Sequence, residues 1–162
     1  MSRCQSGLCP ILPNKTLEMV TEMTMRRMSE IVRQQNPVAL APDTTVQEAC
    51  RRMRERHVGA VLVIESDRRL IGIFTGRDAI CRVLAERRDP AVTRIAEVMT
   101  RDPATMAPSR TAIEALRLMH ERGFRHIPVV EAGKLLGVVS RGDFRGLEQD
   151  RLDEETLLWE QI

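Results

Sequence analysis

Apolar residues recur at i, i+3, i+4 and i+7 in two well-separated stretches. The first is Val46, Ala49, Cys50 and Met53; the second is Ala112, Ala115, Leu116 and Met119. Each spacing predicts a helix with one buried face. Pro42-Asp43-Thr44-Thr45 precedes the first and Pro108-Ser109-Arg110-Thr111 the second, supplying hydroxyl and carboxylate groups suited to a helix start. Behind each helix lies an apolar run, residues 58–64 and 124–130, which predicts a buried strand. A short polar turn follows, and then a second run at 70–74 and 135–139. Turns this short make each pair of runs an antiparallel hairpin. Brief extended segments at 38–40 and 104–106 open the two sets. Helical residues resume at Asp78 and Asp143, with Ile80, Val83 and Leu84 as the apolar side of the first.

The pattern is a duplication. Asn36-Pro37-Val38-Ala39-Leu40-Ala41-Pro42 returns as Asp102-Pro103-Ala104-Thr105-Met106-Ala107-Pro108. At the same offset Thr45 matches Thr111, Glu48-Ala49 matches Glu114-Ala115, and Met53 matches Met119. One residue drops out at the turn. Gly72 then pairs with Gly137, Thr75 with Ser140, and Asp78 with Asp143. A register held this long marks a repeated β-α-β-β-α unit of about 60 residues, too small to bury a stable core alone. The expected class is therefore α/β (α+β), two pseudo-symmetric units packed through their sheets.

The expected organisation is a tail at 1–15, a leading helix at 16–35, a first copy at 36–90, a linker and second copy at 91–146, and a closing helix or tail at 147–162. Leu17, Val20, Met23, Arg27 and Ile31 share one face of the leading helix, and its methionines Met19, Met23, Met25 and Met28 read as core packing, with an interface as the alternative. Leu152, Leu157, Leu158 and Trp159 give the closing segment its apolar content. Met28-Ser29-Glu30-Ile31-Val32 resembles Ile95-Ala96-Glu97-Val98-Met99, so each copy is expected to carry its own lead-in helix.

Composition narrows the function. Among 162 residues there are one Trp, three Phe and no Tyr, so the core is aliphatic. That argues against an aromatic platform for single-stranded nucleic acid. Twenty-five basic residues against 23 acidic ones give +2, which implies no nucleic-acid partner. Only Lys15 and Lys134 are lysines; the rest of the positive charge is Arg, the better bidentate partner for phosphate. Cys4 and Cys9 have irregular spacing, and Cys50 and Cys81 are expected to be buried thiols, a usage that fits the reduced cytoplasm. No run approaches the roughly 18 apolar residues of a membrane span, and the first fifteen residues lack the apolar region of a signal peptide.

No catalytic set and no metal site are expected. His57, His120 and His126 have no ligand spacing, and nucleophile-elbow and phosphate-loop motifs are absent. Two segments stand apart: Gly72-Ile73-Phe74-Thr75-Gly76-Arg77-Asp78 and Gly137-Val138-Val139-Ser140-Arg141-Gly142-Asp143. Each sets a hydroxyl at a strand end and a carboxylate three residues on. Helix capping is one reading. The other is a ribose phosphate, with the hydroxyl and first-turn N–H groups on phosphate, Arg77 or Arg141 adding charge, and the carboxylate taking vicinal hydroxyls.

With these motifs, the ordered pair resembles a tandem of CBS domains (after cystathionine beta-synthase), the arrangement called a Bateman module. Val58-Gly59-Ala60-Val61-Leu62-Val63, His126-Ile127-Pro128-Val129-Val130 and Ile95-Ala96-Glu97-Val98-Met99-Thr100 carry the resemblance, together with the two Thr/Ser-x-x-Asp segments. It implies two clefts for adenine nucleotides (AMP, ADP or ATP; NAD or S-adenosylmethionine in some members) and a regulatory role without catalysis. It assigns Asp78 and Asp143 to ribose and Thr75 and Ser140 to phosphate. It places Val38 on adenine in the Asp143 cleft and Thr105 on adenine in the Asp78 cleft. Basic residues towards phosphate would be His57 in the first copy and Arg122 or Arg125 in the second, with Gly59, His126 and Ile127 in the same set. The Asp143 cleft is the favoured one, because Arg141, Arg125 and Arg122 are expected to collect there. The resemblance further implies a homodimer of pairs acting on an effector protein, with no cofactor required. Gly123 stands where His57 stands, so the clefts are expected to differ.

Overall fold

The computed structural model describes residues 26–144 and 146. Its elements run α1 (Met28–Val32), β1 (Ala39–Leu40), α2 (Val46–Glu55), β2 (Ala60–Ile64), β3 (Leu70–Thr75) and α3 (Gly76–Asp78), which continues as a π-helical run over Ala79–Leu84. Then come α4 (Ile95–Val98), β4 (Thr100–Arg101), α5 (Ala112–Arg122), β5 (His126–Glu131), β6 (Lys134–Ser140) and a 3-10 turn at Arg141–Asp143. The expected tail at 1–15 with Cys4 and Cys9, residues 16–25 of the leading helix and the closing segment 147–162 lie outside the described residues. Among the described residues no helix is long and apolar enough to cross a membrane.

The helix starts follow from their caps. The Thr45 hydroxyl accepts from the Glu48 N–H at 3.3 Å. Thr111 does the same for Glu114, whose carboxylate reaches back to the Thr111 N–H at 2.8 Å. That backbone donation holds the Glu114 carboxyl below its ordinary range. Among the described residues the leading helix begins only at Met28 and is not continuous through Arg27. Arg27 is extended, because Arg26 and Arg27 lie against the start of α5: Ala112 N–H donates to Arg26 C=O at 2.8 Å.

β1, β2, β3 and β4 form one four-stranded sheet in that order, and β5 and β6 form a second sheet. β1 is parallel to β2, and Met106 makes the matching parallel bridge to Val129. The expected strand at 104–106 is reduced to that bridge. Both faces of β2 are buried. Val61 and Val63 join a first core with Val46, Ala49, Phe74 and Val83, while Ala60 and Leu62 meet Ile73 and Leu135 in the seam between the copies. A continuous apolar run is what a strand buried on both sides requires.

The lead-in helices are exchanged. α4 precedes the second copy in sequence, yet Ile95, Val98 and Met99 complete the first core. Met28 and Val32 of α1 complete the second core, with Ala112, Ala115, Met119, Ile127, Val129 and Val139. Backbone bonds fix both crossings: Ile95 N–H to Thr44 C=O, and Met28 N–H to Arg110 C=O, each at 2.8 Å. The expectation that each copy carries its own lead-in helix is thus corrected: each helix serves the other copy.

Three apolar positions also differ from expectation. Val58 precedes the strand and is exposed. In the π-helical run only Val83 is buried; Ile80 and Leu84 are 61% and 74% exposed. Cys81 is exposed too, whereas Cys50 is half-buried and its thiol is pushed up by burial. π-helical winding changes the angular step between residues, so an α-helical wheel misplaces these side chains.

His57 and Gly123 occupy equivalent left-handed positions, φ 52° and 68°, at the ends of α2 and α5. Left-handed backbone costs a non-glycine residue about 1–2 kcal/mol, partly offset by the unfolded-state entropy of glycine. His57→Gly is therefore expected to stabilise the protein by roughly 0.5–1 kcal/mol. Thermal unfolding checks this, and a lower melting temperature would show that the His57 side chain makes a stabilising contact.

Candidate functional site

Packing the two sheets together opens a cleft of about 650 Å³ between the copies. The first copy lines it with Gly59, Ile73, Thr75, Gly76, Arg77, Asp78 and Arg82. The exchanged connection adds Thr100, Pro103 and Ala104. The second copy adds Arg122, Gly123, Phe124, Arg125 and His126.

At the base of this cleft, Thr75 and Asp78 form a reciprocal cap. Asp78 Oδ2 accepts from the Thr75 N–H at 2.9 Å and from its hydroxyl at 2.8 Å. Asp78 N–H returns a bond to Thr75 Oγ1. Oδ1 faces Arg82 Nη1 at 3.2 Å, and that guanidinium also donates to Val98 C=O at 2.9 Å. The carboxylate is buried, yet both its oxygens have partners. Capping thus accounts for the Thr75 to Asp78 spacing. It also fixes the carboxylate rotamer, leaving Oδ1 paired with Arg82, whose guanidinium is shared with the Val98 C=O.

Ser140 and Asp143 repeat the box, with Asp143 Oδ2 accepting at 2.6 and 2.8 Å from the Ser140 N–H and hydroxyl. Asp143 is exposed, and its C=O accepts from Arg26 Nη2 at 2.8 Å. The two segments share the hydroxyl–carboxylate cap, but Gly and Arg stand in opposite order between them and one continues as a helix while the other is a 3-10 turn.

The expected residues divide accordingly. Thr75, Arg77, Asp78, Gly59, Arg122, Arg125 and His126 come together in one cleft. Arg122 and Arg125, expected on the Asp143 side, line the Asp78 cleft instead, because the sheets meet face to face and carry the start of β5 across to Asp78. Ser140, Arg141 and Asp143 do not line this cleft. His57 is exposed and does not line this cleft. Ile127 is fully buried in the second core, so its side chain has no path to a ligand. Val38 packs on the first core, and its C=O takes the Leu62 N–H at 2.9 Å. Thr105 faces a shallower depression with Arg110, Glu114 and Leu118, and Ala104 takes its expected place.

Sequence reasoning missed Arg82, Thr100, Pro103 and Phe124. Arg82 was within reach, lying four residues after Asp78 on one helical face. Thr100 and Pro103 depend on the exchanged connection and had no local mark.

Gly59 lets His126 approach: a Cβ there would lie 3.3 Å from Nε2. Burial pulls the His126 pKa down; Asp143 opposes this and Arg125 reinforces it. The imidazole is neutral at pH 7, and in the native state it resists protonation that the unfolded chain accepts below pH ~6.5. Its contribution to stability is complete above that value and declines as pH falls. The melting temperature is expected to fall from pH 7 to pH 5, with a shallower slope in His126→Gln. Parallel slopes would remove His126 from the acid response. Glu48 and Glu114, both lowered from 4.5, titrate below this window.

The sequence profile of the CBS domain matches residues 20–84 and 95–149. A CBS domain-containing protein of Arabidopsis thaliana is 46% identical over 96 residues, covering 59% of this chain but 18% of its own length. The chain thus spans under a fifth of that relative. An uncharacterized 17.7 kDa protein of Acidianus ambivalens is 35% identical over 117 residues, 72% of this chain and 68% of that one. The solved structure of a CBS domain protein from Pyrobaculum aerophilum, complexed with AMP, superposes with TM-score 0.70 at 26% identity, covering 79% of this chain and 98% of that one.

Proposed function

The chain belongs to the CBS domain family, as a tandem pair of its regulatory units, and from that premise we propose that it binds an adenine nucleotide in the Asp78 cleft and acts as a sensor. The observation that carries this is the meeting of Thr75 and Asp78 from one copy with Arg122, Arg125 and His126 from the other around one cavity. Cavities of a few hundred Å³ with a small number of convergent polar groups suit small ligands. The AMP bound to the Pyrobaculum aerophilum relative is a ligand of the same class.

In this reading a ribose hydroxyl donates to Asp78 Oδ1. Arg82, whose side chain is 46% exposed, turns from the carboxylate towards the phosphate. The aliphatic walls and the Ile73 side take the base. A ligand touching both copies favours one packing of them over others. That preference passes to an effector protein, or to a second copy of the chain seated on exposed Ile80 and Leu84. The module works in the cytoplasm and performs no bond-breaking step. No cofactor beyond the sensed nucleotide is required in this reading.

Calorimetric titration with AMP, ADP, ATP, NAD and S-adenosylmethionine tests the reading. At least one adenine nucleotide is expected to bind and to raise the melting temperature. Asp78→Asn, which keeps the side-chain shape, is expected to weaken binding about tenfold or more, while Asp143→Asn stays within about twofold of wild type. Absence of binding by all five at millimolar concentration would leave a protein-interaction module as the function.

A further inference from the structure

The π-helical run Ala79–Leu84 touches the cleft on one side and solvent on the other. Arg82 lines the cleft, while Ile80 and Leu84 are exposed. Ala85 N–H donates to Ile80 C=O and Arg88 N–H to Val83 C=O, each at 2.9 Å. Both bonds reach back five residues, where an α-helix reaches back four. Such winding is rare, so groups outside the run's own backbone have to hold it. Val83 does so from the core side, buried in the first core. Arg82 does so from the cleft side. Its guanidinium spans from Asp78 Oδ1 at 3.2 Å to Val98 C=O at 2.9 Å. Val98 ends α4, which leads into Thr100, Pro103 and Ala104 of the cleft lining. Arg82 thus ties the run to Asp78 and to the exchanged connection at once.

Resting on the reading of this cleft as the sensing site, we propose that Arg82 relays the state of the cleft to the outer face by holding the run in π winding. A group that takes Asp78 Oδ1, or draws the guanidinium away, also frees Arg82 from Val98. The run then tightens to α winding, and Ala85 N–H moves its bond from Ile80 C=O to Cys81 C=O. The α winding turns the chain further per residue. Tightening therefore rotates Ile80 relative to Leu84 and redraws the apolar patch they form, with buried Val83 as the pivot. A ligand shifts this balance as far as it binds the two windings unequally.

The experiment records NMR couplings across hydrogen bonds, and methyl shifts, on the full chain. Wild type is compared with Arg82→Met, which keeps the side-chain length, and Arg82→Gln, which keeps a polar end. In ligand-free wild type the Ala85 amide is expected to couple to the Ile80 carbonyl. In both variants it should couple to the Cys81 carbonyl. The Ile80 and Leu84 methyl resonances should shift, while those of Val61 and Val63 stay in place. Coupling that remains on Ile80 in the variants overturns the proposal, even where their melting temperature falls. Wild type saturated with AMP or ATP should show the Cys81 coupling too. A nucleotide that binds yet leaves the acceptor at Ile80 overturns the relay and leaves the nucleotide reading standing. Absence of nucleotide binding removes that reading, and the ligand-free variants then decide the relay alone.

Discussion

Gly137→Ala is expected to lower stability by about 2–4 kcal/mol, combining overpacking of roughly 1–3 kcal/mol with a lost hydrogen bond of about 1 kcal/mol. A Cβ at Gly137 would stand 2.6 Å from Val32 Cβ and 2.9 Å from Gln35 Oε1. Val32 Cβ is anchored to the α1 backbone, so it moves only if the helix moves. Gln35 Oε1 accepts from the Val138 N–H at 3.1 Å, and the same displacement breaks that bond. Gly72 is the equivalent position, yet there the obstruction is the Met99 side chain, with Sδ, Cγ and Cε nearest. A thioether has three rotatable bonds and gives way. Gly72→Ala is therefore expected to lose less than half as much. For a chain of this length about 2–4 °C of melting temperature accompanies each kcal/mol, so the two variants separate clearly in thermal unfolding. Equal losses would mean that α1 does not sit on β6 as described.

Met28→Ala is expected to destabilise the protein by about 2–5 kcal/mol, the range for emptying a buried large side chain. Met28 is completely buried, and every core partner it has beyond α1 belongs to the second copy. Amide shifts should change at Ala115, Ile127 and Val139 and stay near wild type at Val61 and Phe74. Ile95→Ala should do the reverse, because Ile95 is completely buried in the first core. Perturbation of the first copy by Met28→Ala would contradict the exchange. For the same reason residues 36–90, the apparent first repeat, are expected not to fold alone, since Ile95, Val98 and Met99 are missing from their core.

Much of this was legible in the residues. Periodicity placed α2 and α5, and the hydroxyls of Thr45 and Thr111 marked where they begin. Helix and strand periods are local properties of the backbone, so a short window contains them. The repeat register paired Gly72 with Gly137 and Thr75 with Ser140, and all four lie at equivalent places. The reciprocal caps were readable too, because a cap closes within four residues.

Local residue patterns specify the units: two copies, their hairpins, their caps and the need to share a core. They do not determine which copy each lead-in helix serves. Met28, Ile31 and Val32 offer the same apolar spacing as Ile95, Val98 and Met99, so either pairing satisfies the pattern. Chain direction and sheet packing chose the crossed one. The site was divided in the same way. Thr75 and Asp78 are fixed by local bonds, whereas Arg122, Arg125 and His126 reach them only because the second sheet packs against the first. Contacts between residues far apart in the chain are set by that packing, and no local pattern encodes them.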